Sequence, residues 1–147
     1  MPLQGQWSDT LLQVEQLHII KILIWGALSV GVGTAILALL KFRSQESKLL
    51  RHFAIQTLAW GLVDMAIAVW AQRGAHLRDL AGAIALDRFV WLNVGLDAGY
   101  VAVGVTLAII GWKLDRRLGL VGAGSGVIVQ GCALALLDLQ LAAAIVR

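Results

Sequence analysis

Residues 19–40 read IIKILIWGALSVGVGTAILALL, with Lys21 as the single charge and no proline. A helix needs about 20 consecutive, mostly apolar residues to cross the hydrocarbon core of a bilayer, and this stretch has them. Working outward, three more stretches of the same kind follow, at about 53–71, 89–112 and 118–144. None alternates polar with apolar residues over short segments, as membrane β-strands do. The expected fold is therefore all-α: an integral membrane four-helix bundle. The bulk composition agrees. Of 147 residues, 59% are hydrophobic and 14% charged, and the mean hydropathy is +0.81. Soluble domains carry about a quarter charged residues. Disorder is excluded by the same figures. A disulfide scaffold is excluded because Cys132 is the only cysteine.

The flanking segments set the remaining expectations. Residues 1–18 hold no Lys or Arg, so they lack the basic start of a cleavable signal. Asp9 can cap a helix, and Leu11, Leu12, Val14 and Leu17 follow among polar residues. This predicts an amphipathic lead-in over 8–18, lying at the interface or joined to the first span. In the longest loop, Leu77, Leu80 and Ile84 have helical spacing, which predicts a short outer surface helix over about 76–87. Lys41, Arg43, Lys48, Arg51, Lys113, Arg116 and Arg117 fall on one side of the bundle, and Lys21, Arg73, Arg78, Arg88 and Arg147 on the other. Basic residues favour the cytoplasmic side, so loops one and three are expected there and both termini outside. The basic balance then meets anionic lipid rather than nucleic acid.

A search for repeats pairs QTLAWGLVD at 56–64 with QGCALALLD at 130–138, and GTAILALLK at 33–41 with VTLAIIGWK at 105–113. Thr34 then matches Thr106, Gln56 matches Gln130, and Asp64 matches Asp138. The pattern suggests two copies of a helical hairpin. A two-span unit returns the chain to its starting side, so the copies would be parallel, about an axis along the membrane normal.

Polar groups inside a bilayer are costly and therefore informative. Asp64, Asp97 and Asp138 each sit in a different span. Counted from the outer span ends, each lies roughly 9–12 Å deep at 1.5 Å per residue. That predicts one polar cluster nearer the outer face. Asn93 and Tyr100 share the stripe of Asp97, Trp60 stands one turn before Asp64 with an indole N–H to donate, and Lys21 can bend inward or snorkel to water. The acids either glue the bundle together or bind a cation or relay protons. For helix packing, Gly95 and Gly99, Gly122 and Gly126, and Ser29 and Gly33 have the small-xxx-small spacing that lets backbones approach, within the chain or across a homodimer.

No catalytic, metal or cofactor pattern emerges, so neither an enzyme nor a cofactor is expected. His18, His52 and His76 fall at span edges or in loops, which argues against a bis-histidine haem. One cysteine makes neither a structural zinc site nor a dithiol. There is no GxxxxGK[ST] loop, and Ser125 has no histidine in its span.

AWGLVD at 59–64 and WLNVGLDAGYVAVG at 91–104 resemble a family of small bacterial four-span membrane proteins, a domain of unknown function. The likeness covers about His18 to Gln140. It implies a bacterial four-helix protein of the cytoplasmic membrane and lends no substrate. Asp64, Asn93 and Asp97 carry over only as motif positions. Three functional expectations follow. The first is an accessory or assembly subunit of a larger membrane complex, with a membrane-protein partner beside the lipid bilayer. The second is a small cation- or proton-linked carrier or channel using the aspartates. The third, ranked below these, is ligand binding at the outer cluster, as a sensor or lipid-handling protein.

Overall fold

A computed structural model of the chain describes residues 2–145. Among these there are four helices and no strand: α1 (Pro2–Phe42), α2 (Lys48–Gly74), α3 (Leu80–Lys113) and α4 (Leu118–Ile145). Each contains a stretch long and apolar enough to cross a membrane.

The helices outlast the apolar spans because a helix ends where its backbone is capped, not where the bilayer stops. The first span has no cap at Asp9. The lead-in is joined to it, and α1 runs unbroken through 8–18. At 1.5 Å per residue its 41 residues extend roughly 60 Å, about twice the hydrocarbon thickness. The separate surface helix expected over 76–87 is absent. Residues 75–79 are not helical, and Asp79 caps α3 by accepting from the Gly82 N–H at 2.8 Å. Nothing between Asp79 and Phe89 interrupts the helix, so Leu80 and Ile84 belong to the first turns of α3 itself. Ser47 caps α2 by accepting from the Leu50 N–H. Ser44, Asp115 and Arg116 adopt positive φ in the two tight connections opposite.

Small and polar residues face inward, and large apolar ones face out. On α2 the buried line is Ala54, Thr57, Gly61, Asp64 and Ala68, spaced alternately three and four. On α3, Ala83, Val90, Asp97, Gly104 and Gly111 are buried at every seventh position. That heptad spacing is the one that lets long helices stay in register at shallow crossing angles. Leu62, Leu92, Val103 and Leu136 stay more than half exposed, so the bundle has an apolar exterior.

Glycines set how closely the helices approach. In the α1–α2 hairpin, Gly26 faces the Gly61 carbonyl oxygen, and Gly33 faces Ala54 and Leu58. In the α3–α4 hairpin, Gly104 faces Gly124 and Ile128, and Gly131 faces the Asp97 carbonyl oxygen and Val101. The two hairpins join through α2 and α4, with a smaller α1–α4 contact. There Gly122 and Gly126 lie against Leu49 and Gln56 of α2. Among the described residues, α2 and α3 make no close backbone approach. Toward the α2–α3 connection an apolar cluster of Leu11, Ala83, Leu86, Val90, Leu141 and Ala142 closes the bundle.

A methyl group on Gly122 would land on the Leu49 carbonyl oxygen, whereas one on Gly95 meets open space. Gly122→Ala is expected to cost about 1–3 kcal/mol through overpacking. Gly95→Ala is expected to be neutral or to stabilise by up to about 1 kcal/mol through helix propensity. Thermal unfolding of the two variants in the same detergent checks the contrast.

Candidate functional site

The gap between α2 and α3 is a cavity of about 360 Å³, within the size range of small-molecule pockets, roughly 300–1,000 Å³. Its walls are Ile67 and Trp70 of α2 and Phe89 and Leu96 of α3, and its floor comes from α4 and α1 through Leu134, Asp138, His18 and Ile22. It forms an elongated slot. Trp60 to Ala71 on one wall spans roughly 16 Å at the helical rise. At its deep end the rings of Trp60 and Tyr100 meet edge to face, with centroids 5.0 Å apart. Trp70 and Phe89, both largely exposed, flank the other end.

All three acids of the apolar stretches converge on this slot, although they lie at different distances from their helix ends. Each has a different environment. Asp64 is 1% exposed and accepts a hydrogen bond from Gln130 Nε2. Gln130 is held in turn by Trp25, whose indole N–H donates to Gln130 Oε1 at 3.0 Å. That second bond fixes which end of the amide faces the carboxylate. Asp138 Oδ1 lies 3.0 Å from His18 Nε2, a pair of largely buried side chains. Asp97 is 4% exposed and lines the slot together with both other acids. Its Oδ2 is buried with no hydrogen-bond partner among the described residues. Such an orphan is unusual, because buried polar atoms are nearly always partnered.

Several residues singled out from the sequence take other positions. Lys21 is outside the cluster: it lies on the exposed seam of α1 and α4, where its ammonium donates to Gln140 Oε1 at 2.8 Å. Trp60 lines the slot but packs on Tyr100, and Asp64 takes its hydrogen bond from Gln130 instead. Asn93 and Tyr100 line the slot on the stripe of Asp97. Ser29 is buried against Gly61, and Gly33 against α2. Gly95 and Gly99 are exposed, with nothing close enough to meet an added Cβ, so they pack no helix within the chain.

His18, Trp25 and Gln130 complete the site, and Glu15 lines it. His18 belongs to the run Leu11, Glu15, His18, Ile19 and Ile22, whose spacing marks one helix face crossing the expected span edge. Glu15 is buried and accepts from Arg78 Nε at 3.0 Å and Nη2 at 2.7 Å. The Arg78 carbonyl oxygen accepts from Ser8 Oγ at 2.8 Å, so the α2–α3 connection is pinned to α1 beside the slot. The hydrogen bond to Glu15, which outweighs the opposing burial, raises the Arg78 guanidinium above its ordinary pKa. Its charge therefore persists at any working pH. Among the described residues, no group of three or more His, Cys, Asp or Glu is placed to hold a metal ion.

Replacing one partner of a buried hydrogen bond strands the other, while replacing both can be nearly neutral. Gln130→Leu is expected to destabilise by about 1–3 kcal/mol, because the Asp64 carboxyl loses its donor. Adding Asp64→Leu to that background is expected to restore much of the loss. Unfolding midpoints of the single and double variants decide it.

A family model described as a family of unknown function (DUF6992) matches residues 21–139, most of the chain, and the chain belongs to that family. No curated protein matches the chain. No solved structure matches it either.

Proposed function

We propose that this member of the family is a small-molecule-binding membrane protein and that the slot between α2 and α3 is its binding site. The observation that carries this reading is the orphaned Asp97 Oδ2 beside a cavity. Acids that served only to hold helices together would be satisfied by the helices they hold, as Asp64 is by Gln130 and Asp138 by His18. Asp97 fits a group that a bound molecule completes. Cation- or proton-linked transport is the form of this function that intramembrane acids most often serve.

We place the chain in the bacterial cytoplasmic membrane as a multi-pass protein with both termini outside. The basic residues of the α1–α2 and α3–α4 connections support this, and the slot then opens in the outer half. We also propose that the two hairpins are duplicated copies. Their glycine contacts correspond: Gly26, Val30 and Gly33 of α1 take the places of Asp97, Val101 and Gly104 of α3, an offset of 71 residues as from Gly33 to Gly104. Ala54, Leu58 and Gly61 of α2 correspond to Gly124, Ile128 and Gly131 of α4, an offset of 70 as from Gly61 to Gly131. In that register Asp64 and Asp138 are one helical turn away from equivalence, and the acid cluster is an asymmetric addition to a repeated scaffold.

One observation favours the second reading, an accessory or assembly subunit. Gly31, Gly95 and Gly99 face outward with open space before them, as on a surface against which another membrane helix packs.

Native mass spectrometry of the gently extracted protein separates the two. Binding predicts a non-protein mass retained by the wild type and lost from Ile67→Trp and Leu96→Trp, which fill the slot from its lipid-facing walls. A stoichiometric foreign subunit with no small-molecule mass would replace this reading with the accessory one.

A further inference from the structure

We propose that the slot takes an organic monocation, a protonated amine on an apolar body, which enters sideways from the bilayer between α2 and α3. This rests on the slot being the binding site.

Charge is the first argument. The slot is lined by four carboxylates, Glu15, Asp64, Asp97 and Asp138, and one imidazole, His18. No Lys or Arg is among the residues that line it; Arg78 is paired with Glu15 at its rim, and Lys21 with Gln140 on the outer seam. An anionic ligand would add like charge to a site shielded from water, where such repulsion is strongest. Hydrogen bonding is the second. Asp64 and Asp138 each have a donor, and Asp97 Oδ2 has none among the described residues. An ammonium N–H supplies the missing donor, in a charge-assisted bond of the stronger class.

The walls suit an organic cation better than a bare inorganic ion. Such an ion needs several oxygens to replace its hydration shell, and no group of three or more candidate ligands is suitably placed among the described residues. Ile67, Leu96 and Leu134 offer apolar surface instead, matched to a hydrocarbon or aromatic body. The Trp60–Tyr100 pair at the deep end presents aromatic rings beside the acids, a favourable setting for an organic cation. The route follows from topology. α1–α2, α2–α4 and α3–α4 are closely packed, α1–α4 less so, and α3 makes no close backbone approach to α2 or α1 among the described residues; the exposed lining residues Ile67, Trp70, Phe89 and Leu96 lie on α2 and α3, which makes that side the opening. That side faces lipid, where a molecule with an apolar body concentrates.

The test uses three probes with one shared body: 4-phenylbutylamine, 4-phenylbutanol and 4-phenylbutyrate. Binding to the full chain in phosphatidylcholine nanodiscs is measured by calorimetry, with empty nanodiscs subtracted. The amine is expected to bind at least about tenfold more tightly than the alcohol, as one charge-assisted hydrogen bond implies, and the carboxylate most weakly. Asp97→Asn is expected to bring the amine down to the affinity of the alcohol, while Asp97→Glu keeps the preference. Equal binding of amine and alcohol to the wild type would overturn the ligand class and leave the slot as a binding site. A preference surviving in Asp97→Asn would overturn the role given to Asp97. No saturable binding of any probe to the wild type would overturn both the ligand class and the binding site.

Discussion

The close approach of α4 to α2 at Gly122 governs this structure. A side chain there would occupy the position of the Leu49 carbonyl oxygen, so the two hairpins meet at this distance only because Cβ is missing. In lipid the apolar exterior gives helices little reason to associate, so close van der Waals contact and interhelical hydrogen bonds take over. The seam that begins at Gly122 continues through Gly126 to Gln130, two turns further on. There it becomes polar, because Gln130 must reach both Asp64 on α2 and Trp25 on α1. One seam therefore sets both the spacing of the bundle and the orientation of its most buried carboxylate. With α2 committed to α1 and α4, and α3 committed to α4, the α2–α3 side is left open.

The polar floor is thus a consequence of packing rather than an addition to it. Asp64 is satisfied through a relay that crosses three helices. Asp138 is satisfied by an imidazole from the fourth-helix side of α1. Asp97 occupies the middle of the heptad line of α3, where its neighbours on that line are Val90 and Gly104. A carboxylate there faces inward by geometry, and the chain supplies no donor for its second oxygen among the described residues. Being inward-facing, unpaired and next to a cavity sets it apart from the other two acids.

Much of this was legible from residue order. Four apolar stretches gave four helices, and three isolated acids in apolar surroundings pointed to one cluster. Helix ends were not legible from hydropathy, which reports the surroundings of a segment and not its caps. Hence α1 runs far beyond Ile19, and Asp79 rather than a separate surface helix begins the third segment. The partners of the acids were also hidden. Asp64 was expected to use Trp60 one turn away on its own helix, but a residue from a different helix approaches the carboxylate more directly. Lys21 and His18 are three residues apart in an apolar stretch, and only the position of α4 decides that one meets Gln140 outside and the other Asp138 inside. The seven-residue line from Ala83 to Gly111 was available in the sequence and identifies Asp97 as inward-facing without any structure.

The length of α1 has a mechanical meaning. It is a single uninterrupted rod with no proline in its interior, and it touches α2 most closely at Gly26 and Gly33. Toward its N-terminal half the same rod is held to α4, by Trp25 on Gln130, Lys21 on Gln140 and His18 on Asp138. Glu15, tied to the α2–α3 connection through Arg78, lies roughly 16 Å along the rod on one side of the glycine contacts, and Lys41 lies roughly 12 Å along it on the other. Because one rigid rod carries the Gly26 and Gly33 contacts, His18 at the floor of the slot and Glu15 at its rim, the helix that sets the spacing of the first hairpin also fixes where that imidazole stands.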